Sequence, residues 1–337
     1  MKKKVSLKDI AQKVGVSIAL VSYVLNNKKE GRISKEVAEK IKATAKKLDY
    51  RPNQIAKSLK SSRTNTIGLI VADIANPFSS SLARIIEDEA EKNGYTVIFG
   101  SSDEKAERSQ KLIDVLQDRQ VDGIIIAPAA GTELQIKALH KKGMPLVLVD
   151  RYFPELKVNY VTIDNKSAAY NAVYHLVEIG CKRIGLIAFK TELLHLQDRK
   201  QGYLEALKKG KITILKDLIK EVAIDQTTQE EVEVAIQDLL RLPGGIDALF
   251  FASNKVATYG LQYLNKQNVV IPKKLKVLNF DQSDAVELFY VPLTHVRQPL
   301  QQIGVEAVRI LLENISGNKK VEQLQLNAEL VLNQSTQ

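Results

Sequence analysis

The chain has 337 residues, of which 45% are hydrophobic, and this is enough apolar material for two or three domains with substantial cores. Its single cysteine, Cys181, excludes an intramolecular disulfide and predicts a reducing compartment. No run of about 18 apolar residues occurs, and Lys8 and Asp9 arrive before an apolar signal region can form, so the composition predicts a cytoplasmic protein without a membrane span.

The net charge of +10 is concentrated near the N-terminus. Residues 1–63 contain 17 lysines and arginines against 5 acidic residues, whereas the remainder contains 32 basic and 34 acidic residues. An excess of positive charge confined to one segment indicates binding to the phosphates of a nucleic acid, with a salt-sensitive affinity. A solvated basic tail is the alternative interpretation of the charge alone.

Residues 1–50 carry the pattern of a helix-turn-helix. Ser6 can cap a first helix, Gly15 breaks it, and Ser17 can cap a second helix on which Val21 faces inward. A third helix, with lysines on its outer side, begins at Ser34. The second helix of such a unit reads base edges in the major groove. The predicted DNA contacts in this part of the chain are Ser6, Ser17, Ile18, Ala19, Leu20, Ser22, Tyr23 and Asn26, together with Arg32 in the basic loop that follows.

Residues 51–62 are predicted to be a hinge helix or linker that folds only under some conditions. Pro52 suits the first position of a helix, but residues 53–59 are too few for a helix that is stable alone. Such a helix needs DNA or tertiary contacts to persist. An ordinary linker is the alternative that these residues leave open.

These motifs are similar to those of the LacI/GalR family of bacterial transcriptional regulators. The similarity runs through residues 5–11, 15–17, 21–26 and 50–53 and continues to the C-terminus. It implies that the hinge helix pairs with its mate in a dimer. It also implies DNA contacts from Asn53, Ala56 and Leu59, with Leu59 wedged into the minor groove at the centre of the operator.

The chain departs from the resembled family where DNA sequence is read. Leu20 stands where Thr is usual, and Tyr23 stands where Arg is usual. Arginine pairs bidentately with guanine, whereas tyrosine offers one hydroxyl and a ring. Ile18 and Ala19 are apolar and can contact a thymine methyl group, but they cannot form bidentate hydrogen bonds. The departures therefore predict an atypical operator.

From Thr66 onward, apolar strands alternate with amphipathic helices. The predicted strands are 67–72, 97–100, 123–127, 146–150, 183–189, 219–224, 247–252 and 276–280, and the predicted helices are 80–93, 107–119, 133–142, 165–179, 197–209, 229–241, 255–267 and 300–315. Two βαβ series of this kind predict two doubly wound parallel-sheet subdomains, as in periplasmic binding proteins. The predicted fold class is therefore an all-α helix-turn-helix headpiece plus an α/β effector-binding and dimerisation domain, residues 63–337. The resemblance implies subdomains of about 63–162 with 292–322 and about 163–291 with 323–337.

Polar residues follow many of the predicted strands. Because ligands of such folds bind at the carboxyl ends of strands, these residues predict a small-molecule site in the cleft between the subdomains. Carboxylates, amides and an arginine around an aromatic ring suit a sugar or another polyol, since each hydroxyl both donates and accepts a hydrogen bond. The predicted effector contacts are Asn76, Phe78, Asp150, Arg151, Asp164, Arg199, Asn254 and Asp281. The resemblance supports Asp150, Arg199, Asn254 and Asp281 in particular.

The predicted pocket also departs from the resembled family. Ser79 stands where a second aromatic residue is usual, and Lys255 stands where Asp is usual. Residues 189–196 are bulkier and more apolar than the usual small-residue loop. A reshaped pocket, a partly closed pocket and a different effector all remain open at this point.

The sequence favours a repressor switched by a sugar-like effector over its alternatives. Control by a partner protein, as in one branch of the resembled family, is the closest of these. No G-x-G-x-x-G, P-loop or G-x-S-x-G motif occurs, and the histidines lack metal-ligand spacing, so we expect no catalytic residue, metal or cofactor. A periplasmic solute-binding protein is a more distant alternative, because it would need a secretion signal and would have no basic helix-turn-helix segment.

The sequence also predicts a homodimer. The chain ends without a leucine-heptad extension, which favours a dimer over the tetramers of some relatives. A two-fold dimer matches a palindromic double-stranded operator.

Overall fold

The computed structural model describes residues 5–26, 33–50 and 63–337. The chain divides into two compact units, residues 1–64 and 65–337. The predicted hinge helix and the predicted DNA contacts Arg32, Asn53, Ala56 and Leu59 lie outside the described residues.

The first unit is a small helical headpiece. The helices in its described residues are α1 (Leu7–Val14), α2 (Ile18–Leu25) and α3 (Lys35–Lys47). Ile10, Val21 and Ile41, one from each helix, are fully buried and form the centre of its core. Gly15 has a φ of 78°, so the tight turn between α1 and α2 uses a left-handed conformation that glycine adopts without strain.

A serine is the N-cap residue of each of the helices α1, α2 and α3. The hydroxyl of Ser6 accepts a hydrogen bond from the Asp9 amide, and the Asp9 carboxylate accepts one in return from the Ser6 amide, which is a capping box. In the same way, the hydroxyl of Ser17 accepts a hydrogen bond from the Leu20 amide, and the hydroxyl of Ser34 accepts one from the Val37 amide. These caps satisfy backbone groups that the helices themselves leave unpaired, so they define where α2, the predicted reading helix, begins.

The second unit contains two six-stranded sheets. The elements of its first half are β1 (Thr66–Val71), α4 (Pro77–Lys92), β2 (Thr96–Ser101), α5 (Ala106–Asp118), β3 (Gly123–Ile126), α6 (Glu133–Lys141), β4 (Leu146–Val149) and β5 (Asn159–Ile163). Those of its second half are α7 (Asn165–Glu178), β6 (Ile184–Phe189), α8 (Leu194–Lys209), β7 (Ile219–Val222), α9 (Thr228–Arg241), β8 (Ala248–Phe251), α10 (Asn254–Lys266), β9 (Lys276–Phe280) and the short α11 (Asp284–Glu287). The chain ends with β10 (Thr294–Arg297), α12 (Leu300–Ile315), β11 (Gln323–Leu326) and β12 (Glu329–Val331).

Both sheets are doubly wound. The first has the strand order β11-β5-β4-β3-β1-β2, and the second has the order β12-β10-β9-β8-β6-β7. All pairs are parallel except β10 with β12, which are antiparallel. Strands β3, β4, β6 and β8 are buried along their whole length, because helices cover both faces of a parallel sheet. The predicted fold class is confirmed.

The C-terminal segment crosses between the sheets a few residues later than the sequence predicted. Residues 292–322 were assigned to the first subdomain, but β10 pairs with β9 in the second sheet and only the following helix α12 packs against α4 of the first. Residues 323–337 were assigned to the second subdomain, but β11 pairs with β5 in the first sheet. Short strands at a sheet edge have no pattern that identifies their sheet, since tertiary pairing decides it. In the described residues, no helix is long and apolar enough to span a membrane.

Candidate functional site

The headpiece presents one face of α2 to its surroundings. Ile18 is 48% exposed, Ala19 is also exposed, and Leu20 and Tyr23 are half-buried. On the next turn, the Asn26 side-chain amide donates a 2.7 Å hydrogen bond to the Ser22 carbonyl. The structure therefore brings Ile18, Ala19, Leu20, Ser22, Tyr23 and Asn26 onto or beside the exposed side of one helix, as the sequence predicted for a DNA-reading face.

Ser6 and Ser17, the other predicted DNA contacts among the described residues, have structural partners of their own. Ser17 is the N-cap of α2, and Ser6 is the N-cap of α1. Both are exposed, so capping does not remove them from the surface. A serine cap pairs one of the backbone amides that a helix N-terminus leaves free, and the remaining amides are suited to contact phosphates.

In the second unit, a cavity of about 80 Å³ opens between the carboxyl ends of the two sheets. Its walls combine residues that follow strands of the first sheet with residues that follow strands of the second. Seven of the predicted effector contacts line it: Asn76, Phe78, Asp150, Arg151, Arg199, Asn254 and Asp281. The volume is small against the roughly 300–1,000 Å³ of typical ligand pockets, so a ligand of sugar size requires the cleft to open or side chains to move.

The structure does not bring Asp164 into this cavity. Its carboxylate accepts a 2.9 Å hydrogen bond from the Ser167 amide and caps α7. Asp164 follows a strand, as the other predicted contacts do, but that strand, β5, lies beside the edge strand β11 rather than at the centre of the sheet.

Arg199 lies at the centre of the site and is 3% exposed. Its Nε donates a 2.8 Å hydrogen bond to Asn165 Oδ1, and its Nη1 donates to the Ala252 carbonyl at 2.9 Å. The guanidinium carbon lies 3.7 Å from the centroid of the Phe280 ring, a cation–π contact. Burial lowers the pKa of Arg199, while the Asp281 and Asp150 carboxylates oppose this shift. The group stays charged, because arginine does not deprotonate in proteins.

Asp281 is held by Gln298 as well as by Arg199. Gln298 Nε2 donates a 2.6 Å hydrogen bond to Asp281 Oδ1, and Arg199 Nη1 lies 3.4 Å from Asp281 Oδ2. The backbone of Asp281 has a φ of 83°, and Asn279 Nδ2 donates a 2.5 Å hydrogen bond to its carbonyl. A residue held in the left-handed region by its neighbours is a feature of pre-organised sites.

Gly202 allows α8 to bring Arg199 against α7. A Cβ at this position would lie 2.3 Å from the Lys166 carbonyl oxygen and 2.8 Å from the Tyr170 amide nitrogen. Both neighbours are backbone atoms of α7 and cannot move away singly. The close approach of these two helices, and with it the Arg199–Asn165 hydrogen bond, therefore depends on the absence of a side chain at Gly202.

A second charged cluster lies on the wall formed by the first sheet. Arg151 donates hydrogen bonds of 2.6 Å to both carboxylate oxygens of Glu104, and its Nε donates to Asp150 Oδ2 at 3.2 Å. Asp150 has a φ of 66°. Burial raises the pKa of Asp150, and the charges of Arg151 and Arg199 oppose the shift. Glu104 was missed from the sequence, because it lies in a loop after β2 and meets Arg151 only in the folded chain.

The two walls of the cleft are joined by a direct hydrogen bond. Asn254 Nδ2 donates to Asn76 Oδ1 at 2.7 Å. Asn76 follows β1 in the first sheet and caps α4, while Asn254 follows β8 in the second sheet and begins α10. These two predicted effector contacts therefore hold the two walls of the cleft together, and we call their hydrogen bond the clasp.

Bulky residues from β6, from α8 and the residue before it, and from the segment after β7 also line the cavity: Phe189, Leu193, His195, Leu196 and Ile224. The sequence indicated a bulky segment but gave His195 a structural or surface role. His195 lies in the wall, and Nδ1 is buried without a hydrogen-bond partner among the described residues. Burial, together with the charges of Arg151 and Arg199, places the pKa of His195 well below its ordinary value, so the ring is neutral at pH 7.

The arrangement can recognise a polar molecule by hydrogen bonds and ion pairs. Within the described residues, no group of three or more His, Cys, Asp or Glu side chains is placed to hold a metal ion. The polar groups instead converge on the cavity from two walls. This is the arrangement expected of a binding site that opens and closes around its ligand.

Comparison with known proteins matches both units. Residues 6–53 match the family described as "Bacterial regulatory proteins, lacI family", and residues 64–332 match "Periplasmic binding proteins and sugar binding domain of LacI family". The HTH-type transcriptional repressor CytR of Escherichia coli (strain K12) is 32% identical, with 98% of this chain and 96% of CytR covered. The ribose operon repressor of Halalkalibacterium halodurans is 32% identical, with 92% and 90% covered.

A solved structure agrees with the fold as well. The transcriptional regulator CelR in complex with cellobiose is 26% identical to this chain and superposes with a TM-score of 0.73. The superposition covers 98% of this chain and 100% of that one.

Proposed function

The chain belongs to the LacI family of bacterial regulatory proteins, and from this premise we propose that it is a transcriptional repressor switched by a sugar-like effector. DNA binding and transcriptional regulation come with the family. The effector class, the contact residues, the dimer and the switch are our proposals.

The cavity between the two sheets is the observation that carries the effector proposal. Carboxylates and amides line it beside a buried arginine and the ring of Phe78. A polyol presents hydroxyls that both donate and accept, so it can satisfy such a mixed set of groups at once. Two similar regulators bear sugars in their names, one solved with cellobiose and one controlling a ribose operon. These names support a carbohydrate effector.

Buried polar atoms in the cavity wall favour a small molecule over a partner protein as the controlling ligand. His195 Nδ1 and Gln298 Oε1 are buried without partners among the described residues. An unpaired buried polar atom costs free energy that a ligand inside the cavity can recover. A protein docked on the outer surface would not reach these atoms.

A second copy of the chain is proposed to pack on the edge strand β2. Phe99 is 61% exposed on this strand, and Ile98 beside it is 37% exposed. Val115 on the neighbouring helix α5 is 50% exposed. An uncovered edge strand with apolar side chains is a surface that proteins ordinarily cover. A two-fold dimer also suits a palindromic operator.

The proposed switch depends on unequal ligand affinity for two states of the cleft. A ligand that prefers the closed cleft stabilises it, and it changes operator affinity to the extent that the two cleft states differ in DNA binding. We assign the Asn76–Asn254 hydrogen bond, which joins the two walls of the cleft, to the closed state. Whether the ligand releases or strengthens operator binding depends on which state the operator prefers.

Genome-wide footprinting followed by ligand titration tests this function. Footprinting of the full chain should identify palindromic sites near a small set of genes. A panel of pentoses, hexoses and disaccharides, chosen from the pathway of those genes, is then titrated by calorimetry and by operator binding. At least one member should bind and change operator affinity. Bound sites without two-fold symmetry, or silence across the whole panel, would contradict the proposal.

A further inference from the structure

The N-terminus of α10 lies in the cavity wall and is chemically unlike the rest of the site. Ser253, Asn254 and Lys255 are consecutive and all line the cavity. The first turn of this 13-residue helix contains no acidic residue. Amide groups at a helix N-terminus are unpaired within the helix and carry partial positive charge.

Ser253 occupies the N-cap position but does not cap the helix. Its side chain makes no capping hydrogen bond, in contrast to Ser6, Ser17 and Ser34 in the headpiece. Ser253 is 7% exposed, and among the described residues its Oγ has no hydrogen-bond partner. A hydroxyl that is buried, unpaired and located in a cavity wall is available to a ligand.

Lys255 adds a full positive charge at the same place. Of the ion pairs found within residues 5–26, 33–50 and 63–337, none involves Lys255, whereas Arg151 is paired with Glu104 and Arg199 with Asp281. Helix dipoles disfavour a cation in the first turn, so this lysine does not stabilise α10. An anion at this position would be favoured by the lysine, the free amides and the Ser253 hydroxyl together.

The acidic side chains of the cavity have hydrogen-bond partners of their own, so none of them pairs with Lys255 or Ser253. Arg151 holds Glu104 and Asp150, while Arg199 and Gln298 hold Asp281. Asp73 Oδ1 accepts a hydrogen bond from the Ala75 amide in its own turn. Burial lowers the pKa of His195, and the positive charges of Arg151 and Arg199 lower it further.

We propose that the effector is an anionic sugar derivative, whose carboxylate or phosphate group binds Ser253 and Lys255 at the N-terminus of α10 while its hydroxyls bind the clasp and the Arg199–Asp281 pair. This inference rests on the proposed sugar-like effector and adds a charge to it. The anionic group lies beside Lys255, for which no carboxylate partner is found among the described residues.

Matched pairs of neutral and anionic sugars test the charge. The full chain is titrated by calorimetry with ribose and ribose 5-phosphate, with glucose, glucose 6-phosphate and gluconate, and with inorganic phosphate alone. In at least one pair the anionic member should bind about tenfold more tightly than its neutral parent. Inorganic phosphate should bind more weakly than that member, and equal binding by phosphate would overturn the assignment of the anion to a sugar.

Variants of Lys255 and Ser253 then test whether these residues cause the preference for the anionic sugar. Lys255→Gln should reduce the anionic preference to about twofold or less, and Lys255→Arg should retain most of it. Lys266→Gln, on the exposed last turn of the same helix, is the matched control and should leave the preference unchanged. Ser253→Ala should weaken anion binding without lowering the urea midpoint of unfolding, because its hydroxyl caps nothing. A preference that survives Lys255→Gln would overturn the proposal.

The outcomes separate this inference from the function on which it rests. If neutral sugars bind and alter operator affinity as strongly as their anionic partners, the anion site is wrong and the sugar-switched repressor stands. If neither class binds, both proposals fail.

Discussion

Asn254 Nδ2 donates a 2.7 Å hydrogen bond to Asn76 Oδ1 across the cleft, joining the end of a strand in one sheet to the end of a strand in the other. Each residue begins a helix at the cavity wall, Asn76 as the N-cap of α4 and Asn254 in the first turn of α10. The same two amides are predicted to contact the effector. The clasp and the ligand site therefore share their atoms, and a change in one is a change in the other.

Asn254→Ala should weaken effector binding by about tenfold and lower the free energy of unfolding by about 1 kcal/mol, because it removes the clasp and a ligand hydrogen bond together. Calorimetry and urea unfolding measure the two effects. Asn265→Ala, on the exposed side of the same helix, is the control. An unchanged effector affinity in Asn254→Ala would show that the clasp is not part of the binding site.

Arg199→Lys should lower the free energy of unfolding by about 3 kcal/mol, because lysine lacks the planar fork that meets Asn165, Ala252 and Asp281 together and leaves a buried carboxylate poorly paired. Effector binding should fall at least tenfold, as roughly one lost charged hydrogen bond would cause. Arg241→Lys, on exposed α9 surface, should behave as the wild type. If a folded Arg199→Lys protein binds the effector with wild-type affinity, Arg199 is not part of the effector-binding site.

Gly202→Ala should lower the free energy of unfolding by about 1–3 kcal/mol, since the new Cβ would meet backbone atoms of α7 at 2.3 and 2.8 Å. The shift of α8 should also displace Arg199 and weaken effector binding. Urea denaturation followed by circular dichroism measures the stability, with Gln201→Ala on the exposed side of α8 as the control. A fully stable Gly202→Ala protein would mean that the two helices separate at little cost.

His195 predicts a loss of stability in mild acid. Its pKa in the folded chain lies well below the ordinary value of about 6.5, so the unfolded chain binds this proton first as the pH falls. Stability is therefore fully present above about pH 7 and decreases below it, by at most about 1.4 kcal/mol per pH unit, until the pH reaches the folded pKa.

The pH dependence is measured by urea unfolding of wild type and His195→Asn from pH 5 to pH 8. The difference between the two proteins should grow as the pH falls from 7 to 5. Burial also lowers the pKa of His175, so the wild-type curve alone does not isolate His195. His140→Asn, at an exposed position, is the control. Parallel curves for wild type and His195→Asn would contradict a neutral buried His195.

Tyr23→Arg should change which operators the chain selects. An arginine on the exposed side of α2 can pair bidentately with guanine, which discriminates against other bases by about 1–3 kcal/mol. Selection from randomised palindromic DNA should therefore recover a guanine in each half-site that the wild type does not require. Lys42→Arg, on the exposed surface of α3, should select the wild-type sequences. Identical selections by Tyr23→Arg would place this side chain away from the bases.

Most of the fold could be predicted from the sequence because the signals were local. Buried strands such as β6 and β8 are continuous apolar runs, and Ser6, Gly15 and Ser17 mark helix ends by their own chemistry. The strands β5, β10, β11 and β12 were not predicted. They are short, and their pairing is decided by contacts with distant parts of the chain rather than by their own composition.

The candidate site divides in the same way. Asp281 and Asn254 follow central strands, so their position was predictable from the rule that ligands bind at strand ends. Glu104 and Gln298 enter the site through partners far away in sequence, namely Arg151 and Asp281. His195 was missed because its surroundings, rather than its residue type, place it in the cavity wall.

The operator affinity of the full chain, with and without a saturating ligand of the cleft, tests most directly whether that ligand switches DNA binding. The ligand should change the operator Kd by about 5- to 150-fold in the wild type. In Arg199→Lys the same change should require a ligand concentration at least tenfold higher, because effector binding is at least tenfold weaker. A ligand that calorimetry shows to bind in the cleft, but that leaves the wild-type operator Kd unaltered, would contradict the switch.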